Sequence, residues 1–220
     1  MATVASPYGL RPVNLIGGQQ FGGQMREYKV AANNSAAIFN GDLVVLSSAG
    51  LPSAVSSTPS AIKIPSTSAD STAGIVGVLV GARYVNGATK QPLWNQYLPA
   101  NATTAGHTDI WIQVVDDPDA LFKVQGTAAL GTFNSGTSGS GWPGAVGKNA
   151  ALGFGTAGST TTGNSGVNLV VGSNGASLAA TSTLAVRIVD VVRGTESDSF
   201  PEFIVKLNVG VHSYYNSLGV

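Results

Sequence analysis

At 220 residues and 22.1 kDa, the chain sets 11 Lys and Arg against 11 Asp and Glu and carries 29 Gly and no Cys. Length alone allows one full core, since a chain of this size buries roughly 70% of its unfolded surface. Zero net charge, with no Lys- or Arg-rich window, argues against the basic face that nucleic acid requires, and the lack of Cys excludes disulfides and thiolate zinc sites.

In chain order, Met1 to Pro12 comes first, with Pro7, Gly9 and Pro12 breaking any regular pattern. It reads as an extended arm, ordered against a neighbour, and its deletion is expected to leave the rest folded. It lacks a basic stretch followed by an apolar run, so it is not read as a secretory signal. Residues 13–220 read as a single β body. Asp42 to Leu46, Gly74 to Gly81, Leu93 to Leu98 and Val167 to Val171 are β-rich runs bounded by Gly, Pro, Asn or Ser. Asp109 to Val115 and Leu184 to Val192 are apolar on both faces and read as central strands. Glu202 to Val211 alternates, with Phe203, Val205, Leu207, Val209 and Val211 on one face, as a half-buried antiparallel strand does. The apolar run Ala73 to Ala82 is about half the length that spans a bilayer, so no membrane association is expected.

No window of a dozen residues has a helical period. The best helical piece is a single turn, Asp117 to Leu121, with Asp117 as N-cap and Pro118 in the first helical position. The expected fold class is all-β, an antiparallel sandwich or barrel. Two irregular excursions interrupt it, at about 47–73 (Ser, Thr, Pro and Ala) and 131–183 (Gly, Ser, Thr and Asn). Fifty residues of plain loop are uncommon in a compact domain, so the second is expected to contain a β sub-structure.

The chemical motifs fail on context. Gly153-Phe-Gly155-Thr-Ala-Gly158 spells a dinucleotide fingerprint, but the next residues, Ser159-Thr-Thr-Thr-Gly-Asn-Ser165, cannot form the helix that the motif needs. His107 and His212 have no ligand spacing. Asp116, Asp117 and Asp119 offer hard oxygen ligands, yet helix capping and a structural turn with Pro118 account for them better. Glu196, Asp198 and Glu202 form at most a solvated loop and strand edge. Trp94, Trp111 and Trp142 could line a sugar site, although packing is the commoner use of Trp. The sequons at Asn33 and Asn101 are read as chance matches. An enzyme is not expected, nor any cofactor or metal.

The opening Ala2-Thr-Val-Ala-Ser-Pro-Tyr-Gly-Leu-Arg-Pro12 with its continuation to Gly18 resembles a family of tailed-bacteriophage virion proteins. These are the capsid decoration, or cement, proteins encoded near the major capsid protein. Similar segments occur at Phe39-Asn-Gly-Asp-Leu-Val44, Gly74 to Val78, Asn95-Gln-Tyr-Leu-Pro99 and Val114-Val-Asp-Asp-Pro-Asp-Ala-Leu-Phe-Lys-Val124. Others lie at Gly158 to Ser165, Leu184 to Asp190 and His212 to Val220. The resemblance implies a homotrimer, made in the bacterial cytoplasm and carried on the outer capsid surface, that ties capsomers together. Its partners would be the major capsid protein and itself. Ser6, Pro7, Tyr8, Gly9, Leu10, Arg11 and Pro12 are the expected partner-binding segment, with Tyr8 and Leu10 as apolar anchors and Arg11 as a fork for an acceptor. The alternative is a head fibre or a lectin-like virion protein that binds host glycans.

Overall fold

The structure, a computed structural model, describes residues 4–30, 36–46, 60–63, 75–131, 141–182 and 184–208. Its strands are β1 (Arg11–Leu15), β2 (Arg26–Val30), β3 (Ile38–Phe39), β4 (Leu43–Leu46), β5 (Ser60–Lys63), β6 (Ile75–Val85), β7 (Pro92–Asn95), β8 (Tyr97–Leu98), β9 (Thr108–Val115), β10 (Ala120–Gln125), β11 (Asn149–Gly153), β12 (Asn168–Val170), β13 (Val186–Val191) and β14 (Glu202–Leu207). Among the described residues one short α-helix, α1, spans Gly141–Ala145. The all-β expectation holds.

One sheet has the order β1-β10-β14-β13-β11-β12. It curls, because Gly126, just past β10, bridges Leu169 of β12 and the Thr127 N–H donates to the Leu169 carbonyl. The other sheet has the order β4-β5-β2-β9-β6-β7, and β4 also pairs with β6. The ladders therefore close a ring of β4, β5, β2, β9 and β6, leaving β7 as an added edge. One pairing departs from the antiparallel expectation, since β2 runs parallel to β5.

Closure makes β4 and the first part of β6 apolar on both faces, whereas β9 and β13, expected to be so, each keep a partly exposed face at Asp109 and Trp111 and at Arg187 and Asp190. On β4, Leu43 and Val45 enter one core while Val44 enters the other. On β6, Ile75 and Val78 join the first core, and Val76 and Leu79 the second. Leu43 to Val45 and Ile75 to Leu79 form a wall between the cores, so over these stretches neither face meets water and both are apolar. At Gly77 a Cβ would lie 2.1 Å from the Val115 carbonyl oxygen, so β9 comes too close for any side chain there. By contrast β14 alternates, with Phe203, Val205 and Leu207 buried, as its sequence predicts.

Several expectations need correction. The Leu93 to Leu98 run is broken at Gln96 into β7 and β8, which belong to different sheets. The Asp117 to Leu121 helical turn does not form. The Ala120 N–H donates to the Asp117 carbonyl at 3.1 Å and closes a tight turn. Ala120 then begins β10, because it and Phe122 are core residues whose strand lies in the ladder with β1 and β14. The helix occurs instead at Gly141–Ala145, where Ala145 is buried. Residues 131–183 hold α1, β11 and β12. Of the 47–73 excursion only β5 falls within the described residues, and Val209, Val211 and His212 fall outside them.

Candidate interaction surface

The N-terminal segment, from Ser6 on, lies on its own body, which corrects the expectation of an arm ordered against a neighbour. The Ser6 N–H donates to Gln125 Oε1 at 2.9 Å, the Gly9 N–H to the Val167 carbonyl at 3.2 Å, and the Leu10 N–H to the Gly41 carbonyl at 3.1 Å. Leu10 is 0% exposed inside the first core and cannot anchor a partner from there. Arg11 and Pro12 already pair with Lys123 and Phe122 as the start of β1. The physical reason is that an apolar side chain and unpaired amides next to an open edge of β10 find satisfaction within the chain.

Tyr8 is half-buried and donates its hydroxyl to Glu202 Oε1 at 2.6 Å, with the Lys123 ammonium 5.3 Å from its ring centre. Lys123 also reaches Glu202 at 3.3 Å. Burial, and then the hydrogen bond and charge of Glu202, push the Tyr8 phenol well above the ordinary tyrosine range. The Arg11 guanidinium donates to Asn164 Oδ1, and its burial lowers its pKa.

Below this segment lies a junction built by Phe39-Asn-Gly-Asp42. Asp42 is 1% exposed and accepts the Phe39 N–H at 2.8 Å and the Ser165 hydroxyl at 2.5 Å. Ser165 Oγ in turn accepts the Val167 N–H at 3.0 Å. The Gly41 N–H donates to the Leu79 carbonyl, and the Leu79 N–H donates back to the Asp42 carbonyl, which ties the turn to β6. The Asn40 N–H donates to the Gly163 carbonyl and the Ser165 N–H to the Asn40 carbonyl. Three separate segments of chain are thus joined at four consecutive residues.

The acidic turn spreads its carboxylates instead of converging them. Asp116 accepts the Tyr28 hydroxyl at 2.8 Å and faces Arg26 at 3.1 Å. Asp117 accepts the Asp119 N–H across the turn at Pro118, and Asp119 pairs with Lys206 at 2.7 Å. Among the described residues no three His, Asp or Glu side chains gather as a possible metal site. His107 Nδ1 accepts the Gly87 N–H at 3.0 Å and its ring lies 4.7 Å from that of Tyr84. The fingerprint at Gly153 does follow a strand, but a turn succeeds it, with the Gly163 N–H donating to the Ser159 carbonyl.

Sequence reasoning missed a row across the outer face of the ring. Ladder register sets Lys29, Trp111, Arg83 and Trp94 side by side on β2, β9, β6 and β7. The Arg83 guanidinium stands 5.8 Å from the Trp111 ring centre and pairs with Asp109 at 2.9 Å and Glu27 at 3.5 Å. Trp111 Nε1 donates to Asp109 Oδ1 at 2.7 Å, and this bond, aided by Arg83, holds the Asp109 carboxyl below its ordinary value. Trp94, at the open end, is 66% exposed. The alternation of Asp109, Trp111 and Gln113 was the signal available, but which cation stands opposite Trp111 depends on strand pairing.

No protein-family model matches the chain, no curated protein matches it, and no solved structure matches its fold. What the molecule itself defines is an all-β protein with two cores, a docked N-terminus and an aromatic-cationic outer face. Among the described residues no helix is long and apolar enough to cross a membrane.

Proposed function

We propose that this protein is a capsid decoration protein, which binds the outer surface of a tailed-phage head and links neighbouring capsomers. The observation that carries the reading is where the family-like segments lie. The opening segment at Gly9 and Leu10, the Phe39-Asn-Gly-Asp42 turn and the Gly158 to Ser165 loop meet in one hydrogen-bonded junction. Their meeting in one scaffold supports the reading, because segments far apart in the chain then have a common structural task. The low charge content supports the same reading, since few ions must be desolvated when subunits close on one another. The open edge of β7 offers main-chain groups to a partner strand. A trimer engaging several capsomers would multiply weak contacts through effective concentration.

The test mixes the purified protein with expanded heads assembled from the major capsid protein of the phage that would carry it. Light scattering of the protein alone is expected to give a trimer, and sedimentation to show saturable binding that raises the heads' resistance to heat. Heads that bind none of the protein, or bind it without gaining stability, would overturn the proposal.

A further inference from the structure

A groove of about 420 Å³ opens where β7 gives way to β8, against the Ser159 to Gly163 turn. Asn95, Gln96 and Tyr97 line one wall, and Thr160, Thr161 and Thr162 the other. We propose that this groove binds a neutral oligosaccharide that extends onto the exposed indole of Trp94, the residue before Asn95 on β7. The site stands apart from the capsid reading and does not depend on it.

The chemistry of the lining carries the choice of ligand. Every side chain named is uncharged, and together they supply three aliphatic hydroxyls, two carboxamides and a phenol. Such groups exchange hydrogen bonds in both directions with sugar hydroxyls. They offer nothing to neutralise a phosphate or a carboxylate. Arg83, the cation across the ladder from Trp94, is already answered by Glu27 and Asp109, so it leaves no net positive charge to select an anionic sugar. A sugar ring also has an apolar C–H face, and the largely exposed indole of Trp94, one residue before the groove, provides the matching surface. Trp111, in the same row, has Arg83 over its ring, so Trp94 is the open platform.

The groove is also held in shape before any ligand arrives. The Gly163 N–H donates to the Ser159 carbonyl at 2.8 Å and the Ser159 N–H to the Asn164 carbonyl at 2.9 Å, which fixes the threonine turn. Gly163 has φ +73°, and a Cβ there would lie 2.6 Å from Gln96 Cβ, so the two walls touch at its floor. Tyr97 stacks on Phe39 with ring centres 5.3 Å apart, and Asn95 Nδ2 donates to the Tyr84 hydroxyl at 2.6 Å. Walls fixed in this way lose little conformational freedom on binding.

Calorimetric titration of the whole protein with the hexasaccharides of β-1,4-glucose, α-1,4-glucose and β-1,4-N-acetylglucosamine tests the proposal, with a hyaluronan hexasaccharide as the anionic comparison. At least one neutral sugar is expected to bind with a Kd tighter than about 10 mM, quenching tryptophan fluorescence. Trp94→Ala and the double variant Thr160→Ala with Thr161→Ala should each weaken it by about tenfold while melting as the parent does. Binding by none of the three neutral sugars, binding of hyaluronan alone, or binding that survives Trp94→Ala would overturn the proposal. So would a Trp94→Ala variant whose one change is in self-association.

Discussion

Gly9 and Gly41 cross backbone on backbone: a Cβ on Gly41 would stand 2.9 Å from Gly9 Cα, and one on Gly9 would stand 2.8 Å from Gly41 Cα. Both have positive φ, +78° and +94°, a region in which side chains are strained. The N-terminal segment can reach its seat only because both positions are glycine. Gly41→Ala is therefore expected to destabilise the protein by about 3 kcal/mol. Gly147→Ala is the control, with φ +84° and open space around its Cβ; it should cost about 1 kcal/mol of backbone strain alone. Urea unfolding measures both, and equal losses would show that the crossing is not the cause.

Truncation tests which part of the N-terminal segment is seated. Removal of residues 1–5 should lower the melting temperature only slightly, because Val4 and Ala5 are exposed and the bond it breaks, from Gln125 Nε2 to the Val4 carbonyl, is long at 3.5 Å. Removal of residues 1–12 takes away the buried Leu10 and the first pairs of β1, and should lower it sharply. Leu10→Ala alone is expected to cost about 3 kcal/mol. A 1–12 deletion that melts like the parent would contradict the docked arrangement.

Asp42 is the buried acceptor at the junction. Asp42→Ala leaves the Phe39 N–H without its carboxylate partner and releases the Ser165 hydroxyl, a loss of about 3 kcal/mol. Ser165→Ala removes one side of the network and should cost about 1 kcal/mol. In a double-mutant cycle the two losses should be less than additive, since both break the same bond; simple additivity would refute the coupling.

Tyr8 governs the alkaline limb of stability. In the folded protein its phenol keeps its proton at pH values where an unfolded tyrosine loses it. The stabilisation is then complete below the ordinary tyrosine pKa and is lost as pH rises from there through the raised folded value. Ultraviolet titration should show a phenolate signal that appears only after the ordinary tyrosines have ionised, and Tyr8→Phe should diminish it. Tyr84 contributes to the same late signal, since burial raises it as well. Loss of the Glu202 hydrogen bond in Tyr8→Phe should cost about 1.5 kcal/mol near neutral pH.

Asp109 acts at the acid end. Its pKa is depressed by the Trp111 indole N–H and by Arg83, so its contribution is present above the unfolded carboxylate pKa and fades as pH falls through the folded one. A carbon-detected NMR titration should place Asp109 below the range of model aspartates. Trp111→Phe should raise it, and an unchanged midpoint would remove the indole as the cause.

The sequence by itself determined the all-β class and most of the strands, because period-two alternation at Phe203, Val205 and Leu207 and bounded apolar runs such as Ile75 to Val80 leave the chain little choice. The resemblance included Phe39 to Val44 without giving those residues a task. Tertiary structure alone decided the rest. Arg11–Leu15, Arg26–Val30 and Asn149–Gly153 are strands with weak patterns of their own, and they form because a partner ladder satisfies their amides. Leu10 looked like an anchor for another subunit, since nothing in its neighbours' sequence announces a core built from residues far along the chain. Likewise the Trp94 groove joins residues 95–97 to 160–162, and such a meeting is set by strand register and loop closure, which no local pattern encodes.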